Sequence, residues 1–153
     1  IVDAAVPLVR QLLDVHAEHG GAVVSLKAVP LPDTKKYGIC AGPMVRVDRM
    51  RVERMVEKPK PEEAPSNLSI VGRYVLPASI FALLRDTQPG AGGEIQLTDA
   101  LARLPLVHGH VFSGDHFDTG NPMGLLRATL HYAAKRPAFA GDVRAMCAAV
   151  AGG

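Results

Sequence analysis

The sequence predicts an α/β domain built on a mixed sheet flanked by helices. Three observations lead there. Short runs rich in Val, Ile and Leu alternate along the chain with longer stretches of helical periodicity, the pattern of strands connected through helices. Gly, Pro and Asn clusters fall between these stretches, where turns and caps belong. The 153 residues are 48% apolar but only 5% aromatic, with no Trp, so the core must be mostly Val, Leu, Ile and Ala. That length suits one domain, residues 1–153, with a real core.

The elements follow in order. Residues 4–19 place Val6, Val9, Leu12, Leu13 and His16 on one face at helical spacing, with Pro7 tolerated in the first turn. Gly20-Gly21 stops that helix, and AVVSLKAV (22–29) reads as a mostly buried strand. A Pro-containing connection (31–36) precedes a short strand at Tyr37-Gly38-Ile39-Cys40. Residues 44–47 and 52–56 read as strands on either side of a turn near Arg49. A strand over 69–76 is followed by Pro77, which opens a helix through Leu84. Residues 88–93 form a loop, 94–104 a helix with Glu94 as an early acid, and 107–112 a strand. Asn121 then caps a helix to Lys135; Pro137 breaks it, and an Ala-rich helix runs to the Gly-Gly end.

Several function classes lose support at this level. Seventeen Lys and Arg against fifteen Asp and Glu give a net charge of +2, without a basic block or aromatic platform for nucleic acid. The longest apolar runs are far shorter than a membrane span, and no signal peptide is visible, so no membrane partner is expected and the expected location is the cytoplasm. Cys40 and Cys147 match no metal or redox spacing and read as reduced, structural thiols. The chain opens Ile1-Val2-Asp3 rather than with Met, and the expectation is that further polypeptide precedes it.

Chemistry concentrates in two places. Glu57-Lys58-Pro59 closes one apolar run. A carboxylate accepts hydrogen bonds only and can hold two vicinal sugar hydroxyls, while an adjacent ammonium suits a phosphate. Both reach one ligand only if the strand ends and twists there, and Pro59 favours that end while biasing Lys58 toward extended geometry. A solvated ion pair at a strand end is the plainer alternative. The second place is His116-Phe117-Asp118-Thr119-Gly120-Asn121, between a strand and a helix, where α/β sheets line their ligand crevice. Asp118 can hold a hard divalent ion; equally, Asp118 and Asn121 can simply start the helix. The glycines of the stretch 89–99 fit neither a dinucleotide nor a P-loop spacing and no Lys follows them, so that whole stretch reads as scaffold that positions its neighbours. His108 and His110 share a strand face without an evident partner.

The order of these signals is more specific than any one of them. Tyr37-Gly38-Ile39, Val56-Glu57-Lys58-Pro59, the stretch APSNLSIVGRYVL (64–76), GAGGEIQLTD (90–99) and Phe117-Asp118-Thr-Gly-Asn121 occur in one register. Together they resemble the C-terminal half of bacterial UTP–glucose-1-phosphate uridylyltransferases (UDP-glucose pyrophosphorylases), strongly from Tyr37 to Asn121 and more loosely beyond. The resemblance implies a partial nucleotide-diphospho-sugar transferase fold, Rossmann-like, carrying the sugar-phosphate half. The family's upstream GxGTR loop, PKEMLP segment and LPDD strand end are not found, and Ile1-Val2-Asp3 is similar to the residues that follow the last of these.

By resemblance, an oxygen of glucose 1-phosphate attacks the α-phosphorus of UTP, and pyrophosphate leaves as UDP-glucose forms. Alignment and neutralisation of anionic charge supply the catalysis. Glu57 would then hold glucose hydroxyls and Lys58 the sugar phosphate, with backbone at Gly38 and Val71 completing the sugar pocket and no room for a side chain at 38. Asp118 would supply one Mg²⁺ ligand, and an upstream aspartate the other. The resemblance also implies a homo-oligomer assembled through the C-terminal helices, and that these residues alone do not turn over substrate. One position departs from the pattern: Thr119 stands where these uridylyltransferases usually carry Cys, whereas other sugar nucleotidyltransferases often use Asp-Thr-Gly. Two alternatives stay open: transfer involving another nucleotide or sugar 1-phosphate, and a non-catalytic binding domain of the same fold.

Overall fold

The computed structural model describes residues 1–90 and 93–152. In chain order the elements are β1 (Val2–Asp3), α1 (Leu8–His19), β2 (Ala22–Ala28), β3 (Gly38–Ala41), β4 (Met44–Arg46), β5 (Arg49–Arg51), β6 (Arg54–Glu57), β7 (Leu68–Val75), α2 (Ile80–Arg85), α3 (Leu97–Leu101), β8 (Val107–Val111), β9 (Asp115–His116), α4 (Pro122–Lys135) and α5 (Pro137–Ala151). They fall into two compact units: Val6–Ser113, and Ile1–Ala5 with Gly114–Gly153.

The larger unit is a seven-stranded sheet in the order β4-β5-β8-β2-β7-β3-β6. It is mixed, as expected: β2 and β8 run parallel, and the remaining pairs are antiparallel. β2 is buried from Ala22 through Leu26 because both sheet faces are covered. On one face Ala22, Val24 and Leu26 pack with Ile80 of α2, Leu101 of α3, and Met50, Ile70 and Val107 of neighbouring strands. On the other lies α1, against β2, β7 and β8. Gly109 makes this packing possible, since a Cβ there would come within 2.3 Å of Leu26 Cδ1.

One irregularity bears on the site. The β2–β7 register jumps from Leu26↔Ile70 to Val24↔Tyr74, so residues 71–73 bulge opposite Ser25. Gly72 supplies the left-handed step at φ 74°. The fully buried Ser25 hydroxyl donates to the Arg73 carbonyl at 2.9 Å and accepts from the Arg73 amide at 3.3 Å, satisfying the backbone that the bulge unpairs.

Some element expectations need correcting. Helix α1 begins at Leu8, with Pro7 as its extended cap rather than in its first turn. Its buried stripe is Leu8, Leu12 and Val15, while Val6, Val9 and Leu13 are exposed. The turn expected near Arg49 falls at Val47-Asp48, but the chain returns at once as β5 from Arg49, which is 5% exposed, and the strand expected over 52–56 is β6 at Arg54–Glu57. Helix α3 is shorter than residues 94–104, so Glu94 precedes it rather than sitting in its first turn. The loop expected over 88–93 includes Ala91 and Gly92, which lie outside the described residues.

In the smaller unit β1 and β9 pair antiparallel, Val2 opposite His116 and Asp3 opposite Asp115. Helices α4 and α5 pack on each other, with Ala128 and Val143 buried. Asn121 caps α4 as expected, its side chain accepting from the Gly124 amide at 2.8 Å. No helix of the described residues is long and apolar enough to cross a membrane.

Candidate active site

Strand β6 is an edge of the large sheet and pairs with β3, with Gly38 directly opposite Glu57. The Glu57 side chain lies back over that glycine. A Cβ at position 38 would sit 3.0 Å from Glu57 Oε2, 3.2 Å from Ile70 Cδ1 and 3.5 Å from Thr98 Oγ1. The space that Gly38 leaves open is therefore taken up by a carboxylate and a hydroxyl of the protein itself. Thr98, the second residue of α3, donates its hydroxyl to Glu57 Oε2 at 2.7 Å. The other carboxylate oxygen, Oε1, faces the Lys58 ammonium at 3.5 Å. Glu57 is mostly covered and Lys58 is 57% exposed, so the acid is fixed while the base reaches into solvent.

Lys58 corrects one expectation. Its φ is 45°, in the left-handed region, rather than extended. The Lys58 amide still donates to the Tyr37 carbonyl at 3.1 Å, so the β3–β6 ladder closes one residue beyond the strand and the chain then turns sharply into buried Pro59. In regular β geometry neighbouring side chains point to opposite faces; the left-handed step brings the two charged tips together. Val71 is half-buried in the β7 bulge, where the ladder to β2 is interrupted. Burial and, after it, the Glu57 charge push the Tyr74 phenol above its ordinary value. The larger unit thus gathers Gly38, Glu57 and Lys58, and adds Thr98, which sequence reasoning passed over as scaffold.

Asp118 belongs to the smaller unit, on the turn before α4. Its Oδ1 accepts from the Gly120 amide at 3.1 Å, and its carbonyl accepts from Asn121 Nδ2 at 3.1 Å. A Cβ on Gly124 would lie 1.7 Å from that carbonyl, so only glycine at the third position of α4 admits the backbone of Asp118 so close. Gly in a first helical turn, three residues after an Asn cap, was the sequence signal for this close approach. Asp118 is exposed, and a hard carboxylate oxygen fits a Mg²⁺ ion whose other ligands are phosphate oxygens and water.

Two further clusters lie apart from these residues, the second around the histidine pair that shares a strand face. In the smaller unit Asp3 pairs with Lys135 and accepts from His131 at 2.5 Å; Lys135 first and His131 after it hold its carboxyl below the usual range, and Asp115 lies beside them. The Lys135 ammonium already supplies the cation there. In the larger unit His108 and His110 are buried beneath α1, beside Arg49, Asp48 and His19. His110 meets Gln11 at 3.2 Å, whereas both His108 nitrogens and Arg49 Nε are buried without a hydrogen-bond partner among the described residues.

The profile of the nucleotidyl transferase family matches residues 6–135. A UTP–glucose-1-phosphate uridylyltransferase of Staphylococcus epidermidis is 42% identical over 148 residues, covering 95% of this chain and 51% of that protein. One from Pseudomonas aeruginosa is 47% identical over 125 residues, covering 80% and 45%. A crystal structure of UDP-glucose pyrophosphorylase complexed with UDP-glucose superposes with a TM-score of 0.82 at 33% identity, covering 88% of this chain and 53% of that one. The chain spans about half the length of the curated relatives it matches. The match over most of its length, on a mixed sheet flanked by helices, makes this chain a member of the nucleotidyl transferase family.

Proposed function

We propose that this chain forms the sugar-phosphate half of an enzyme that transfers a uridylyl group from UTP to glucose 1-phosphate, giving UDP-glucose and pyrophosphate. The observation that carries the reading is the Glu57 carboxylate, clamped by Thr98 over side-chain-free Gly38 with the Lys58 ammonium at its outer oxygen. Such a carboxylate is an acceptor set for vicinal hydroxyls, and the exposed ammonium next to it is a counter-charge for the phosphate on the same sugar.

The residues then divide the work. Glu57 orients the sugar. Lys58 binds the phosphate whose oxygen attacks the α-phosphorus of UTP, offsetting charge that would repel the triphosphate. Backbone groups in the Val71 bulge border the sugar, since a strand that breaks its ladder there can offer them to a ligand. Asp118 would hold Mg²⁺, which when bound neutralises phosphate oxygens and draws electron density from the phosphorus. No covalent enzyme intermediate is required; alignment and charge do the catalysis.

The test is turnover by the complete gene product with UTP, glucose 1-phosphate and Mg²⁺. Glu57→Gln, Lys58→Ala and Asp118→Asn are each expected to lower kcat/KM by about a hundredfold or more, the scale of losing one charged transition-state contact. Wild-type rates for Glu57→Gln and Lys58→Ala together end the proposal. Thr119 favours a second reading, a different sugar 1-phosphate or nucleotide, and a panel of both substrates separates the two.

A further inference from the structure

We propose that Thr98 is a positioning residue for sugar recognition, holding the Glu57 carboxylate in its sugar-binding orientation before the substrate arrives. The inference rests on the reading of Glu57 given above. Three other threonine hydroxyls serve their own local turn: Thr34 donates to Leu31, Thr87 to Leu83 and Thr129 to Leu125. Thr98 does not. Its hydroxyl crosses 41 residues of sequence to reach Glu57 Oε2 at 2.7 Å, although it stands at the start of a helix whose first turn has no side-chain cap. Its side chain is buried, so the hydrogen bond is shielded from water.

The consequences are chemical. A glutamate has three rotatable side-chain bonds, and ordering them when the ligand binds costs affinity. A hydroxyl has a single proton; here it goes to Oε2 and fixes the carboxylate plane, while Oε1 faces Lys58. Gly38 supplies the second wall of the clamp, because any side chain there would compete for the place of Oε2. With its one proton given to Glu57, Thr98 acts through that carboxylate.

The experiment compares Thr98→Val, Thr98→Ser and Glu57→Gln in the complete gene product. It reads KM for glucose 1-phosphate and for UTP separately, kcat, and the melting temperature. Thr98→Val is expected to raise KM for glucose 1-phosphate about tenfold with KM for UTP unchanged, and Thr98→Ser, which keeps the hydroxyl, to restore it. On a Glu57→Gln background Thr98→Val should add little, and its penalty should shrink most for the same monodeoxy glucose 1-phosphate as that of Glu57→Gln. Wild-type kinetics for Thr98→Val beside a crippled Glu57→Gln overturn the proposal alone. Wild-type kinetics for Glu57→Gln overturn it together with the reading beneath it. An equal rise in both KM values with a lower melting temperature, unrescued by Thr98→Ser, shows a merely structural threonine and also overturns it. Thr98→Ala carries the same comparison if the valine variant does not fold.

Discussion

Lys58 adopts a backbone conformation that costs a non-glycine residue about 1–2 kcal/mol. Strain of this kind persists where the surroundings hold it, here the Tyr37 carbonyl on one side and buried Pro59 on the other. What it achieves is local: two consecutive side chains, the last of an edge strand and the residue after it, converge, and the acid between base and hydroxyl has both oxygens engaged. Gly38 then becomes a position where one methyl group has a readable consequence. In Gly38→Ala the added Cβ sits 3.0 Å from Glu57 Oε2, tighter than ordinary contact, and Ile70 closes the other side at 3.2 Å. The carboxylate must yield by a few tenths of an ångström against its bond to Thr98. On the proposed function, the expected outcome in the complete gene product is a drop of about tenfold in kcat/KM for glucose 1-phosphate with a melting temperature near that of the parent, because misplacement rather than unfolding is the fault. Steady-state kinetics with a parallel melt checks it, and unchanged kinetics would show that the clamp has slack.

At the scale of elements, α1 shows what a pattern can and cannot specify. The expected face joined Val6, Val9, Leu12, Leu13 and His16, but residues 6–15 also carry a second stripe at helical spacing, Leu8, Leu12 and Val15. Both have the period of a buried face, and the sheet selects the second. Leu12→Ala should therefore cost about 2–5 kcal/mol, whereas Leu13→Ala, at 44% exposure, should cost about 0.5 kcal/mol or less. Chemical denaturation of the two variants decides it; equal losses would mean that the exposed stripe is packed in solution. Other elements were legible because their signals are local. Asn121-Pro122 marks the start of α4, since a capping side chain and a residue with no amide to lose suit adjacent positions. The pair at 57 and 58 was legible as a strand ending at proline. Its geometry was not, because proline alone argues for extended backbone at Lys58, and only the ladder to β3 and the turn into Pro59 select the left-handed alternative. Thr98 could not be read at all: its role depends on a partner 41 residues away, and in sequence it looks like any polar residue early in a short helix.

For the molecule as a whole, the two units carry their titratable groups in different environments, and acid should separate them. In the larger unit burial, followed by neighbouring positive charge for His108, lowers the proton affinity of His108 and His110 in the folded state. The groups facing them are His19 from α1, Arg49 and Arg51 from β5, and Asp48, which partly opposes the effect at His110. A base with a depressed folded value takes up its proton on unfolding. Its contribution to stability is thus fully present above the ordinary histidine value of 6.5 and is lost as pH falls from there toward the folded value. In the smaller unit Asp3 has a depressed value and Lys135 a raised one, so their contributions hold between about pH 4 and pH 10. Hydrogen exchange, corrected for intrinsic rates, should accordingly show protection falling in α1, β2 and β8 between pH 7 and pH 5, while α4 changes little. His108→Phe removes the most poorly partnered ring and should flatten that slope in the larger unit only. A uniform loss across both units, or an unaltered slope in His108→Phe, would mean that the buried histidines do not govern the acid response.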